Sequence, residues 1–122
     1  MRIFIAANDS YGLYIFRRDL IKRLIEDGHE VYAALPDGEC TGRIKELGCE
    51  FIELPVDRRG ISPKKDLKLF RAYYKLLRRL RPQMVITYTI KPNVYCGLAA
   101  RLLGIPCAVN ITGLGTAFQN TG

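Results

Sequence analysis

The sequence lacks an apolar run of the length that crosses a membrane, which is about 20 residues. Its first apolar segment, residues 2–7, is also too short for the apolar region of a signal peptide, and polar residues 8–10 follow it at once. We therefore expect a cytoplasmic protein. The chain has 122 residues, of which 48% are hydrophobic and 25% are charged. This length and composition are typical of one globular domain.

Histidine is almost absent, and cysteine occurs without the spacing of a metal site. The chain has one histidine, His29, and four cysteines, none of them in a Cys-x-x-Cys pair. Because zinc sites usually use such pairs or several histidines, we expect no bound metal and no metal cofactor. Disulfides are rare in the cytoplasm, so we interpret the thiols as reduced packing residues. They are Cys40, Cys49, Cys96 and Cys107.

Acidic residues are scarce in one segment. From Arg58 to Arg81 there are ten basic residues and one acid, Asp66, so this segment has a net charge of +9 in a chain of +7. A basic helix here can be a solvated face, bind nucleic acid or lie on an anionic membrane. We favour the membrane, because Tyr73 and Tyr74 fall on the apolar stripe and not among the cations. The residues predicted to contact the membrane are Lys64, Lys65, Lys68, Arg71, Lys75, Arg78 and Arg79.

Strand-like and helix-like segments alternate along the chain. Short runs rich in Ile, Val and Ala predict buried strands, and apolar residues three and four apart predict helices. Gly28, Gly48 and Gly104 follow three of the helices, where a C-cap glycine is typical, and His29 is expected to be a surface or packing residue. The predicted strands are residues 2–7, 30–35, 49–54, 84–87 and 106–111, and the predicted helices are 12–27, 39–47, 64–80 and 93–103.

This alternation predicts the fold class α/β. Repeated strand–helix units imply a parallel sheet with right-handed crossovers. We expect a Rossmann-like, three-layer α/β/α domain with the strand order 3-2-1-4-5. The third strand alternates between polar and apolar residues, so we expect it at an edge of the sheet. No linker or low-complexity run divides the chain, and residues 1–122 are therefore expected to form a single domain.

The first loop, residues 8–12, is one candidate binding site. The fingerprint G-x-G-x-x-G is absent here and no acid ends the second strand, so a dinucleotide site is not expected. Gly12 would let a ligand approach the backbone, and the N-terminus of a helix favours anions. The alternative is an ordinary capped start of a helix.

The corner after the fourth strand, residues 87–93, is the sharper candidate. Lys91 precedes Pro92, which suits a first helical turn, and Asn93, which suits a cap. An ammonium beside exposed backbone N–H groups would make a phosphate or carboxylate site; the alternative is a solvated lysine beside an ordinary cap. The exit from the fifth strand, residues 112–116, has Gly113 and Gly115, which would permit close backbone contact with a substrate.

Two stretches resemble a known group of enzymes. RIFIAANDSYGLYIFRRDLIKRLIEDGHEVYAALP, residues 2–36, is similar to the amino-terminal start of GT-B glycosyltransferases of family four, which often have a Gly-His-Glu-Val turn. TYTIKPNVYCGLAARLLGIPCAVNITGLGTAF, residues 87–118, resembles the subgroup that builds capsule, O-antigen and lipid-linked oligosaccharides in bacteria. The resemblance covers essentially the whole chain, and its second motif is the more specific one.

The resemblance implies the amino-terminal, acceptor-binding lobe of a retaining, metal-independent glycosyltransferase. Such an enzyme would move a sugar from a nucleotide-sugar donor to a glycolipid or polysaccharide acceptor at the inner face of the cell membrane. By position, the loop around Tyr11 and Gly12 would face the donor diphosphate. Some relatives have a histidine where this chain has Ile90, so no catalytic residue is assigned. The residues that would line the acceptor side are Lys91, Pro92, Asn93, Thr112, Gly113 and Gly115.

The carboxyl-terminal donor lobe of such an enzyme is absent from the sequence. We therefore expect an amino-terminal fragment that is inactive alone, with the nucleotide sugar bound mainly by the missing lobe. Two alternatives stay open. The chain could be a non-catalytic binding subunit of a two-chain glycosyltransferase, or a small nucleotide- or nucleic-acid-binding Rossmann module. The missing dinucleotide fingerprint argues against the nucleotide version, and we expect no nucleic-acid partner.

Overall fold

Strands and helices alternate in the computed structural model, which describes residues 1–56, 63–89 and 91–110. The strands are β1 (Arg2–Ala6), β2 (Glu30–Leu35), β3 (Glu50–Glu53), β4 (Met84–Tyr88) and β5 (Cys107–Asn110). The α-helices are α1 (Ser10–Glu26), α2 (Thr41–Glu46), α3 (Pro63–Leu80) and α4 (Gly97–Leu102), and a π-helical turn, Pro92–Cys96, precedes α4.

The strands form a parallel sheet in the predicted order, β3-β2-β1-β4-β5. β1 lies in the middle, where Ala6 pairs with Ala34 of β2 on one side and with Thr87 of β4 on the other. The direction of winding reverses between β1 and β4, and open α/β sheets bind ligands at the carboxyl ends of strands at such a point. β3 lies at an edge with both of its end residues exposed, as predicted.

Helices cover both faces of the sheet and make three layers. Because successive strand residues point to opposite faces, Ile5 of β1 packs in one core with Leu13 and Ile21 of α1. Phe4 packs in the other core with Tyr73 of α3 and with α4. Each large apolar side chain that is fully buried in this way contributes about 1.5–3 kcal/mol to folding. The two cores hold β1 and β4 in place at the centre of the sheet.

The ends of the helices agree with the prediction to within one residue except at three places, of which one is α2, which begins at Thr41, two residues after the predicted start at residue 39. Gly28, Gly48 and Gly104 each lie two residues after the last residue of α1, α2 and α4, at φ values of +90°, +104° and +72°, which is the position of the left-handed glycine that ends many helices. α1 begins at Ser10, two residues before the predicted start, because Asp9 caps it. The predicted helix 93–103 is divided into the π-helical turn and α4. A π-helical turn inserts one extra residue, which a pattern of apolar spacing does not reveal.

The apolar spacing of three and four residues predicts Phe16 and Leu20 on the core-facing side of α1 and Leu67 on that of α3, but all three are exposed. Phe16 is 73% exposed, Leu20 is 38% exposed and Leu67 is 58% exposed. The buried stripe of α3 is Leu69, Tyr73 and Leu77. Apolar spacing alone fits overlapping stripes on one helix, and only contact with the sheet decides which of them is buried.

The cysteines and the histidine lie where the sequence predicts packing roles. All four cysteines are free thiols, and all except Cys107 are buried. Burial raises the pKa of the Cys49 thiol to about 11. His29 lies at the amino end of the sheet, where its Nδ1 is 3.2 Å from the amino-terminal nitrogen of Met1. No group of three or more potential metal ligands occurs within residues 1–56, 63–89 and 91–110.

Candidate functional site

A cleft of about 400 Å³ opens at the carboxyl ends of β1 and β4, which is the point where the winding of the sheet reverses. We call it the switch-point cleft. Its position is the one at which open α/β sheets bind ligands. The residues that line it are Ala7, Asn8, Asp9, Gly12, Leu13, Phe16, Arg17, Tyr88 and Thr89.

The start of α1 forms one wall of this cleft and is capped internally. The carboxylate of Asp9 accepts hydrogen bonds from the backbone N–H groups of Tyr11, at 3.3 Å, and Gly12, at 3.2 Å. A Cβ at Gly12 would lie 3.3 Å from Asp9 Oδ2, so the glycine gives this carboxylate room. The start of α1 was predicted to bind an anion through its backbone N–H groups, but those of Tyr11 and Gly12 already donate to Asp9. Gly12 lines the cleft, whereas the half-exposed Tyr11 does not.

Arg17 brings a positive charge to the same cleft. It is one helical turn after Leu13 and one before Ile21, both of which are buried against the sheet. Its guanidinium carbon lies 4.9 Å from the centre of the Tyr88 ring, a cation–π contact. Burial raises the pKa of the Tyr88 hydroxyl, and the charge of Arg17 partly opposes this rise. Sequence reasoning missed Arg17, although its place between two core positions of α1 could have indicated it.

The corner after β4 does not present a free ammonium. Lys91 Nζ lies 2.9 Å from Asp66 Oδ1, and the two side chains are only 15% and 9% exposed. The hydroxyl of Tyr95 donates to the other oxygen of Asp66 at 3.1 Å. Desolvation, together with this carboxylate, raises the pKa of Tyr95. The charge of Lys91 is thus balanced by an acid at the start of α3, 25 residues away in sequence.

The backbone of this corner is strained and tightly wound. Thr89 has a φ of +72°, in the left-handed region that β-branched residues rarely adopt. Its hydroxyl donates to the carbonyl oxygen of Tyr88. Pro92 occupies the start of the π-helical turn, as predicted, but the proposed cap at Asn93 is wrong, because its N–H donates to Thr89 O at 3.0 Å inside the helix. Strained backbone and π-helical turns are both frequent at functional sites.

Other predicted residues of the site fall on parts of the chain outside the described residues. These are Thr112, Gly113 and Gly115 of the exit from the fifth strand, and Ile90 of the corner. Of the remaining candidates, Gly12 lines the switch-point cleft, and so do Tyr88 and Thr89 at the start of the corner. The first loop and the corner therefore belong to the same edge of the sheet, as the strand order predicts.

The cations of α3 lie on the side of the helix that faces away from the sheet. All seven basic residues of α3 are exposed, whereas its acid, Asp66, is buried and paired with Lys91. Six of the seven follow spacings of three and four opposite the buried stripe, with the exposed Leu67 among them. We call these six residues the basic face: Lys64, Lys68, Arg71, Lys75, Arg78 and Arg79. The seventh, Lys65, lies to one side of this row, since it is one residue before the buried Asp66.

The basic face is long, continuous and free of aromatic residues. It spans about 22 Å from Lys64 to Arg79 at the rise of an α-helix. Tyr73 is fully buried and is therefore not available to stack on bases. Within residues 1–56, 63–89 and 91–110, the helices are too short or too polar to pass through a bilayer.

The sheet order and the three layers define a Rossmann-like α/β domain with the fold found in GT-B glycosyltransferases. The chain belongs to the glycosyl transferase 4-like family, whose model matches residues 3–122. Among solved structures, a glycosyltransferase from Rickettsia africae covers 98% of the chain with a TM-score of 0.72 and 16% identity. At this identity the likeness shows the fold alone.

Two curated relatives carry more specific names. One is the N,N'-diacetylbacillosaminyl-diphospho-undecaprenol alpha-1,3-N-acetylgalactosaminyltransferase of Campylobacter jejuni, which is 29% identical over the whole chain. The other is the UDP-Gal:alpha-D-GlcNAc-diphosphoundecaprenol alpha-1,3-galactosyltransferase of Escherichia coli, which is 40% identical over 56% of the chain. The matched regions are 33% and 17% of the lengths of these two relatives, and the Rickettsia structure is matched over 33% of its chain.

Proposed function

We propose that this chain is the acceptor-binding lobe of a retaining glycosyltransferase that transfers a sugar to a polyprenyl-diphosphate-linked acceptor. The observation that carries the proposal is the family match over residues 3–122, combined with the acceptors in the names of both curated relatives. Each of those names contains a sugar attached to diphospho-undecaprenol. A second lobe would hold most of the nucleotide-sugar donor, since the chain corresponds to about a third of the Campylobacter relative.

The type of transfer is inferred from the same names. Both relatives form an alpha-1,3 linkage. A nucleotide sugar with an alpha-linked sugar gives such a product when the anomeric configuration is retained. The transferred sugar would be a hexose or an N-acetylhexosamine, the two kinds that the relatives transfer.

The substrate would lie at the carboxyl edge of the sheet. The switch-point cleft would receive the diphosphate-bearing part of a substrate beside Tyr11 and Gly12. Lys91, Pro92 and Asn93 would support the acceptor side through a rigid corner, since the ammonium of Lys91 is balanced by Asp66. Thr112, Gly113 and Gly115 complete this proposal on the strength of the family resemblance.

The acceptor's lipid would keep the enzyme at a membrane. A continuous row of six exposed cations on α3 supports binding to an anionic bilayer surface, where each basic residue contributes about 1 kcal/mol. An enzyme that uses a nucleotide sugar from the cytoplasm would bind the inner face of the cell membrane. The buried position of Tyr73 favours this over binding of a single-stranded nucleic acid, which uses exposed aromatic side chains among the cations.

Vesicle flotation tests the proposed acceptor. The 122-residue chain is mixed with vesicles of neutral lipid that contain undecaprenyl-diphosphate N-acetylglucosamine, and with the same vesicles without the glycolipid. We expect the chain to float with the first and not with the second. Equal flotation with both would overturn the acceptor assignment. Incubation of the chain with UDP-sugars and the glycolipid should give no transfer, and detectable transfer would overturn the division between an acceptor lobe and a donor lobe.

A further inference from the structure

Arg17 lies on the face of α1 that packs against the sheet, where its neighbours along the helix are apolar. Leu13 and Ile21, four residues before and after it, are 3% and 0% exposed. Side chains four apart lie on the same face of a helix, so the guanidinium stands in the line of residues that covers the sheet. It remains half-buried there, because the switch-point cleft opens at this turn of the helix.

The guanidinium has no acidic partner in the described part of the chain. No carboxylate there lies within ion-pair distance of Arg17, and the contact that the structure gives it is the stack on Tyr88 at 4.9 Å. A half-buried charge without a counter-ion is unfavourable, since removal from water weakens its solvation. The Tyr88 ring lies on one side of the guanidinium, and within the described residues its N–H groups donate to no acceptor.

We propose that Arg17 binds a phosphate group of the substrate in the switch-point cleft. This inference rests on the proposed function and adds to it the residue that recognises the diphosphate. A guanidinium presents two parallel N–H donors that match two oxygens of a phosphate, and such charge-assisted pairs are among the strongest hydrogen bonds in proteins. The anion would supply the counter-charge that the described residues do not.

The other charged group of the cleft does not compete for this role. Asp9 also lines it, but its carboxylate accepts the N–H groups of Tyr11 and Gly12 at the positive end of α1. Of the described residues that line the cleft, Arg17 is the one with a positively charged side chain. Both a nucleotide-sugar donor and a polyprenyl-diphosphate acceptor carry a diphosphate, so the chemistry of the group is assigned here and its source is left to the experiment.

Titration calorimetry at constant ionic strength tests the assignment with three probes, which are inorganic pyrophosphate, UDP and farnesyl diphosphate. We expect the 122-residue chain to bind pyrophosphate and Arg17→Gln to weaken the binding about tenfold or more. Arg17→Lys should lie between the two, because an ammonium keeps the charge and loses the bidentate geometry. Tighter binding of UDP than of pyrophosphate would assign the site to the donor, and tighter binding of farnesyl diphosphate would assign it to the acceptor.

Two arginines provide matched controls. Arg18, the next residue, has its guanidinium carbon 5.6 Å from the centre of the Tyr14 ring, and Arg23, at the other end of α1, pairs with Asp27. Arg18→Gln and Arg23→Gln should both leave pyrophosphate binding unchanged. Thermal melting shows whether each variant, Arg17→Gln included, is folded, and we expect all of them to fold because none of the three side chains is fully buried.

The inference fails if pyrophosphate does not bind saturably in the millimolar range, or if Arg17→Gln binds all three probes as the unchanged chain does. These results are separate from a failure of the proposed function. Arg17-dependent pyrophosphate binding by a chain that ignores the glycolipid vesicles would support the phosphate site and count against the acceptor assignment alone.

Discussion

The ammonium of Lys91 and the carboxylate of Asp66 form an ion pair of 2.9 Å that joins the corner after β4 to the first turn of α3. Asp66 is the acid of a helix whose other charged residues are cations. The pair therefore neutralises both the negative charge of α3 and the positive charge of the corner. It connects the helix proposed to contact the membrane with the corner proposed to support the substrate.

The first prediction concerns the stability that this pair provides. Asp66→Asn removes the counter-charge of Lys91, whose side chain is 15% exposed. An uncompensated, largely buried charge is strongly unfavourable, and we expect the free energy of unfolding to fall by about 2–4 kcal/mol. Urea unfolding followed by circular dichroism measures this loss. Tyr95→Phe, which removes one hydrogen bond to Asp66, should lower the free energy of unfolding by about 0.5–1.5 kcal/mol.

The double variant Asp66→Asn/Lys91→Met separates the pair from general damage. Removal of both charges should restore part of the stability that Asp66→Asn loses, because no charge is then left buried without a partner. A double variant whose loss equals the sum of the two single losses would contradict a direct coupling between the two groups.

The second prediction concerns a close contact beside the start of α1. A Cβ at Gly38 would overlap with Ser10 Oγ, which itself accepts a hydrogen bond from the N–H of Cys40 at 3.3 Å. Gly38→Ala must displace the buried Ser10 and should lower the free energy of unfolding by about 1–3 kcal/mol. Gly42→Ala is the matched control, because a Cβ there meets nothing within 4 Å. In the helix it should be neutral or stabilising by up to about 1 kcal/mol. Equal losses for the two variants would show that the contact with Ser10 is not the cause.

The third prediction concerns the basic face of α3. The triple variant Lys68→Gln/Arg71→Gln/Lys75→Gln should weaken binding to vesicles rich in phosphatidylglycerol by about 100-fold, at about 1 kcal/mol for each cation near the surface. Binding of the unchanged chain should also weaken as salt rises. Sedimentation with sucrose-loaded vesicles measures both effects.

The control for the membrane prediction is a triple variant of equal charge on other helices, Arg18→Gln/Lys22→Gln/Arg43→Gln. These residues are exposed on α1 and α2, which cover the opposite face of the sheet from α3. Similar losses for both triple variants would indicate that net charge, and not the basic face, governs binding. Salt-independent binding to neutral vesicles would likewise contradict an electrostatic surface.

The fourth prediction is a loss of stability at alkaline pH that depends on Cys49. Burial raises the pKa of this thiol from 9.0 to about 11, so the unfolded chain releases the proton first as pH rises. Stability is therefore fully present below about pH 9 and falls between about pH 9 and 11. Cys49→Ala removes this contribution, and the fall over that interval should be about 1–2 kcal/mol smaller in the variant. Urea unfolding of both proteins at each pH measures the difference. If the free energy of unfolding falls by the same amount in Cys49→Ala as in the unchanged chain, the thiol is not involved.

The fold could be predicted from the sequence because it follows from local patterns of apolar, polar and glycine residues. Glycines after the apolar stripes mark the ends of three helices, and the bounds of β2 agree with the prediction residue for residue. The strand order follows from the alternation of strands and helices and from the handedness of parallel crossovers. Boundaries set by side-chain capping or by one inserted residue, at Asp9 and Pro92–Cys96, could be predicted only to within a few residues.

The site was less predictable because it depends on contacts between distant residues. Nothing near Lys91 in sequence indicates that Asp66 balances its charge, and nothing near Arg17 indicates that Tyr88 lies beneath it. The sequence could locate the edge of the sheet where ligands bind, since that follows from topology. It could not show which charges at that edge are already neutralised, since this depends on packing between elements.

The path of α3 has a consequence for how a substrate would arrive. This helix carries the chain from β3 at the edge of the sheet back to β4 beside the centre, so it runs antiparallel to the strands. A bilayer against its outer side would hold the strands level with the membrane plane, and a cleft at their ends would open sideways along the surface. A lipid-anchored sugar could then reach the protein by lateral diffusion and never leave its leaflet.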